Sequence, residues 1–247
     1  MTSAHAFGML VTVTPRDGYA IVTLNRPEKR NAMNFAAQKE LWAALAHLAE
    51  TRCKVIILTG AGEVSFCAGA DFKDPERAKV LTSNLPDTWL QTQDIIARHP
   101  SVFIAAVNGF ALGGGLTLVN NSELAIASDK ATFGMPEMGM GIFASVAGPT
   151  TTKRLLPKHV AQLIFTAKPV DAATALSWGL VNEVVASADL LPRAEELAAH
   201  IATFDGVALD FSKKALRDIA DMSWSEGLDY GIRSSAVIRG KQALATE

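Results

Sequence analysis

Two glycine-bearing stretches hold the residues best suited to chemistry. The segment Ile104-Ala105-Ala106-Val107-Asn108-Gly109-Phe110-Ala111-Leu112-Gly113-Gly114-Gly115-Leu116 carries an apolar run onto three consecutive glycines where a helix should open. Glycines there let the backbone approach a ligand closely, and the N–H groups of a helix start point outward. Such donors can hold a phosphate or a developing oxyanion. Tight helix–strand packing is the other use for the same glycines. A dinucleotide fingerprint is excluded, because the G-x-G-x-x-G order with an acid ~20 residues onward is not present. The second stretch, Ser65-Phe66-Cys67-Ala68-Gly69-Ala70-Asp71-Phe72, follows a buried strand, and its small residues expose main-chain N–H groups. Read alone, it is equally an ordinary turn. Cys67 has no adjacent histidine signature and reads as a small packing residue rather than a nucleophile. His5, His47, His99, His159 and His200 show no metal-ligand spacing, so no metal is expected and each reads as solvated or capping.

The elements that must position these stretches alternate along the chain. Residues 10–14 and 20–24 are short runs rich in Val, Ile and Thr around a Pro-Arg-Asp-Gly turn, which predicts an antiparallel hairpin. Residues 34–50 carry apolar side chains at helical spacing, with Asn34 as N-cap. Strands are predicted at 55–58, 102–107, 124–127 and 181–185, and helices at 89–99, 113–119, 160–166, 172–178, 191–204 and 207–221. Repeated strand–helix units imply a largely parallel sheet with crossovers, followed by a helical C-terminal part.

Composition narrows the function classes. The chain has 247 residues, 49% hydrophobic and 19% charged, with a formal net charge of −2. That balance gives no strong pull toward nucleic acid or an anionic membrane. Cys53 and Cys67 are too few for a disulfide scaffold, and a reduced, cytoplasmic setting is the simplest. Residues 1–10 lack a basic start followed by a long apolar run, so no secretory leader is read there. The apolar stretch 103–119 is interrupted by Asn108 and the glycines, and it is shorter than the ~20 residues of a spanning helix. A soluble protein is expected.

Taken in order, the motifs resemble one family. Asn25-Arg26-Pro27-x-x-x-Asn31-Ala32-Met33 comes first, then Phe66-Cys67-Ala68-Gly69-Ala70-Asp71, then Asn108-Gly109-x-x-x-Gly113-Gly114-Gly115. Gly134-Met135-Pro136-Glu137 and Ala175-x-x-Trp178-Gly179-Leu180-Val181-Asn182 follow. The series, over roughly residues 10–215, is similar to the crotonase, or enoyl-CoA hydratase/isomerase, superfamily. The resemblance implies an α/β fold built as a spiral of ββα units, with a core over 1–195 and a helical region over 196–247 serving trimerisation. It implies a homotrimer or dimer of trimers. By the same resemblance, the N–H groups of Ala70 and Gly114 form an oxyanion hole for an acyl-CoA thioester. Lys29, Arg30, Ala32, Ala68, Asp71 and Phe72 lie along the CoA arm. Lys73 is a candidate phosphate partner or simply a solvated lysine. Glu137 is the implied acid/base, and Met135, Met138 and Met140 around it suggest an apolar setting that raises its pKa. No separate cofactor is implied, since coenzyme A belongs to the substrate.

Several positions depart from the family pattern. Hydratases of this family carry a second glutamate where this chain has Thr117, and a hydroxyl can hold a water but cannot accept a proton at neutral pH. Ser145 stands where dehalogenases of the family carry a nucleophilic aspartate, which argues against dehalogenation. Asn120, Asn121 and Glu123 suggest an atypical pocket floor, and the tail after Lys241 looks short. Three readings follow: an enoyl-CoA isomerase with one proton-transfer base, which is preferred; a hydratase using Glu137 with water held by Thr117; and a non-catalytic acyl-CoA-binding protein. The stretch 74–94 is expected to govern acyl-pocket depth.

Overall fold

The structure is a computed structural model that describes residues 5–6, 8–76 and 88–244. The stretch expected to set acyl-pocket depth therefore lies partly outside the described residues, from 77 to 87. The larger sheet contains β1 (His5–Ala6), β2 (Val11–Pro15), β3 (Tyr19–Leu24), β4 (Val55–Gly60), β6 (Val102–Val107), β8 (Leu124–Ser128) and β11 (Glu183–Val185), hydrogen-bonded in that order. The predicted hairpin is β2–β3, antiparallel, and from β3 to β11 every pairing is parallel. A smaller sheet joins β5 (Ser65–Cys67), β7 (Phe110–Leu112), β9 (Thr132–Gly134) and β10 (Val170–Asp171). Strands of two or three residues show no two-residue period, so this sheet was not visible in the hydrophobic pattern.

Central strands buried on both faces should be apolar throughout, and β4 and β6 are buried at every residue. Their side chains alternate between two cores. Ile56, Leu58, Phe103 and Ala105 face the main core, with α1 (Phe35–Glu50) and the smaller sheet's Phe66 and Phe133. Val55, Ile57, Val102 and Ile104 face Leu190, Ala194, Ala198 and Ile201 of the helix Leu190–Ala202. That helix runs through residue 195, where the expected boundary fell.

The remaining described helices are α2 (Thr88–Arg98), α3 (Gly114–Asn121), α4 (Ala147–Thr152), α5 (Pro157–Thr166), α6 (Ala172–Ser177), α7 (Leu190–Ala202), α8 (Gly206–Ile219) and α9 (Trp224–Leu244). Asn34 caps α1 as predicted, accepting Ala37 N–H at 2.9 Å. None of the described helices is long and apolar enough to cross a membrane.

Two expectations are corrected here. His99 is neither solvated nor a surface cap: it is 5% exposed, with Nε2 against the Leu45 carbonyl at 2.8 Å and Nδ1 accepting Ser101 N–H at 3.1 Å. Those partners suit the neutral ring, and burial pushes its pKa down to about 4. Asn120, Asn121 and Glu123 are not among the described residues lining the cavity beside Gly114; they line a separate one with Lys213 and Arg217. Asn120 donates to Thr151 Oγ1 at 2.9 Å, while Glu123 accepts Phe103 N–H and pairs with the buried Lys213 at 3.4 Å, fastening α8 to the sheet.

Candidate active site

The two glycine-bearing stretches meet. Gly69 adopts φ +90°, a conformation that disfavours any side chain. A Cβ there would stand 2.8 Å from the Leu112 carbonyl and 3.0 Å from Gly114 N. A Cβ on Gly115 would fall 1.9 Å from the Cys67 carbonyl. Close packing is thus one use of these glycines, and it leaves the helix start free to serve the other.

Ala70 pairs with Met33 in an isolated parallel bridge. The bridge is closed by Met33 N–H to Gly69 O at 2.8 Å and Asp71 N–H to Met33 O at 3.0 Å. In that register the N–H of Ala70 itself points away from Met33, and Ala70 lines a cavity together with Ala68, Gly69, Gly113 and Gly114. Gly114 opens α3, so its N–H is among the donors a helix cannot satisfy internally. Two main-chain donors therefore border one cavity of about 80 Å³.

The loop is held from behind by two residues that motif reading had not given a task. Arg26, 9% exposed, donates through one guanidinium nitrogen to the Ala32 carbonyl and through the other to Asp71 Oδ2 at 3.0 Å. Asn31, 1% exposed, accepts Arg26 N–H and donates to the carbonyls of Ala61 and Ser65 at 2.9 and 2.7 Å. A signal was present in the sequence: polar residues at fixed spacing beside a proline suggest a hydrogen-bonded turn.

Glu137 sits in the short 3-10 turn Pro136–Met140, facing the cavity. Its Oε1 would lie 2.7 Å from a Cβ on Gly113, and its Oε2 is buried without a hydrogen-bond partner among the described residues. Burial raises the carboxyl pKa above its ordinary value, with its own backbone N–H pulling the other way. The apolar setting differs from the expected one. Met140 lines the cavity with Trp89, Ile142, Phe143 and Val146, whereas Met138 is 41% exposed and takes no part.

Other expected site residues are distributed unevenly. Lys29 and Arg30 are exposed on the turn Pro27–Lys29 and just after it, and the Arg30 carbonyl accepts Ala68 N–H at 3.0 Å. Ala32 contributes its carbonyl to Arg26. Phe72 is half-exposed at the cavity rim and Lys73 is exposed beyond it. Asp71 commits its carboxylate to Arg26 and to Lys73 N–H, so it braces the loop. Thr117 does not reach the cavity: it is fully buried, and its hydroxyl donates to the Gly113 carbonyl at 3.4 Å. Ser145 does line the cavity. Cys67 is buried, its thiol pushed up to about 12, which leaves it an inert packing residue as expected. Among the described residues no cluster could hold a metal ion.

The Enoyl-CoA hydratase/isomerase family model matches residues 15–234. The short-chain-enoyl-CoA hydratase of Clostridium acetobutylicum is 38% identical over 203 residues, covering 80% of this chain and 77% of that protein. The (E)-benzylidenesuccinyl-CoA hydratase of Thauera aromatica is 34% identical over 238 residues, covering 94% and 91%. Among solved structures, the enoyl-CoA hydratase from Bacillus anthracis is similar at a TM-score of 0.85 with 28% identity, covering 96% of both chains.

Proposed function

The chain belongs to the enoyl-CoA hydratase/isomerase family, and from that premise we propose that it shifts a double bond in an unsaturated acyl-CoA thioester through proton transfer by Glu137. One observation carries this reading: among the described residues lining the cavity beside Ala70 and Gly114, Glu137 supplies the one carboxylate. Starting from a 3-enoyl thioester, the Glu137 carboxylate takes a proton from C2. The electron pair spreads over the dienolate, whose oxygen lies against the N–H groups of Ala70 and Gly114. Fixed donors stabilise charge where it develops and need no reorganisation. Glu137 then returns the proton at C4, leaving the double bond between C2 and C3. A carboxyl whose pKa burial raises above the ordinary value suits this shuttle, because the rise strengthens it as a base while it still returns the proton. Coenzyme A is part of the substrate, and the exposed Lys29, Arg30 and Lys73 offer charge to its phosphates.

Hydration is the second reading, favoured by the names of the relatives. Glu137 would then both activate the water and return the proton, since Thr117 supplies no carboxylate and is turned away from the cavity. Incubation with crotonyl-CoA and with a 3-enoyl-CoA, followed by absorbance of the conjugated thioester, separates the two. Isomerisation predicts a gain of conjugation from the 3-enoyl substrate faster than any loss from crotonyl-CoA. The reverse order overturns it in favour of hydration.

A further inference from the structure

Ser145 brings a neutral hydroxyl to the cavity that Glu137 lines. Its place is set from both sides. Ala144 before it is buried, and Ser145 N–H donates to the Phe143 carbonyl at 2.8 Å. Two residues after it α4 begins, and α4 is tied to α3 by Asn120, whose Nδ2 donates to Thr151 Oγ1 at 2.9 Å and to Thr150 Oγ1 at 3.2 Å. Thr151 Oγ1 in turn donates to the Ala147 carbonyl at 2.7 Å. Since α3 opens at Gly114, one short helix positions a main-chain donor at its start and, through Asn120 near its end, the segment that carries the hydroxyl.

Ser145 is exposed, and its Oγ makes no hydrogen bond to the described residues. A hydroxyl so placed is solvated until a ligand covers it. An acyl chain laid across the cavity removes that solvent, and a plain hydrocarbon chain returns no hydrogen bond. The hydroxyl is then stranded in a wall that also includes Ile142, Phe143 and Val146, and a desolvated hydroxyl without a partner is costly. An acyl group with an oxygen of its own restores the bond, because a serine hydroxyl both donates and accepts. That oxygen should be neutral: a second carboxylate would share the cavity with Glu137, and like charges in one site oppose each other's ionisation. We propose that Ser145 hydrogen-bonds a neutral oxygen function on the acyl chain, a hydroxyl or a keto group, and so selects oxygen-bearing acyl-CoA thioesters over plain hydrocarbon ones. The inference rests on the acyl-CoA reading of the site and adds the class of acyl group. Ser145 determines specificity in this account and moves no proton.

The test is calorimetric titration of the full chain with two matched pairs: pentanoyl- against 4-oxopentanoyl-CoA, and hexanoyl- against 5-oxohexanoyl-CoA. None of these acyl chains has a carbon–carbon double bond to shift. The unmodified protein should favour the oxo member of at least one pair by about fivefold or more, the low end of what an unpartnered hydroxyl costs. Ser145→Ala should bring that ratio to within about twofold, by weakening the oxo ligand and tightening the hydrocarbon one. Parallel weakening of both members leaves the ratio unchanged and, like equal affinities within both pairs in the unmodified protein, overturns the proposal. If the variant does not fold, the unmodified pairs decide. A preference that Ser145→Ala removes, in a protein without isomerase turnover, refutes the Glu137 chemistry and supports the role of Ser145. Turnover with equal affinities refutes the role of Ser145 alone, and failure to bind any of these thioesters refutes the acyl-CoA reading and this inference with it.

Discussion

Glutamine in place of Glu137 should abolish turnover while leaving the protein at least as stable. The amide keeps the shape that fits over Gly113 and removes the base. Loss of a positioned general base costs ~10²–10⁴ in rate, or about 3–5 kcal/mol of transition-state stabilisation. Stability moves the other way. Burial holds the carboxyl pKa above its unfolded value, so the folded state is favoured by this group below that unfolded value. The advantage disappears as pH rises through the raised pKa, above which the ionised side chain opposes folding, its Oε2 buried with no partner among the described residues. The neutral amide relieves that opposition. Two measurements follow: initial rates on a 3-enoyl-CoA across pH, and thermal melts at pH 7. The unmodified enzyme should gain kcat/KM with pH on a limb centred above 4.5, the ordinary carboxyl value, and the variant should lack that limb. A variant that keeps more than about a tenth of the activity, or whose Tm falls by several degrees, would refute the reasoning.

Arg26→Met leaves the Ala32 carbonyl without its Arg26 donor and the Asp71 carboxylate with the Lys73 N–H alone, at a cost of about 1–3 kcal/mol; kcat should fall in the folded protein, and an unchanged kcat in steady-state assays shows that the clamp does not position Ala70. His99, with a pKa near 4 against 6.5 in the unfolded chain, should contribute stability above pH 6.5 that is lost as pH falls toward 4. At ~1.4 kcal/mol per pKa unit this amounts to about 3 kcal/mol, and urea melts showing the same pH dependence in His99→Asn would contradict it. Leu216, Trp224, Leu228 and Ile232 are exposed on α8 and α9, and apolar surface of that kind is expected to be covered by further copies of the chain. Light scattering that returns only the 26.2 kDa monomer at micromolar concentration removes this expectation.

How far the site could be read in advance depended on the kind of signal each part leaves. β4 and β6 were legible because strands buried on both faces are apolar throughout, and α1 because its period and its Asn34 cap agree. The pairing of β5 with β7 left no trace in periodicity, although the glycines that allow it were conspicuous. Glu137 could be named from its motif, but its surroundings could not: the expected methionines only partly line the cavity, and Trp89 arrives from a distant helix. Thr117 shows the limit most plainly. A hydroxyl at that position was expected to hold a water, yet which way a threonine turns on a helix depends on the carbonyl one turn back, here Gly113. His99 failed for the same reason, since its partners come from Leu45 and Ser101, and a lone histidine in a sequence says nothing about who will bury it.

The two donors bordering the cavity belong to the main chain, and this alters what heredity can do to them. A codon change at residue 70 or 114 replaces a side chain but leaves an N–H behind, with proline as the sole exception. A saturation library at these positions should therefore rank variants by bulk, with charge and polarity nearly irrelevant. At residue 137 the ranking should follow acidity. The donor N–H itself thus survives most point mutations, although any side chain at residue 114 must displace the Trp89 ring, and the proposed proton carrier at residue 137 is one codon from change. On the proposed reading, lineages that keep this backbone can explore new reactions without first rebuilding the donors that an enolate oxygen needs.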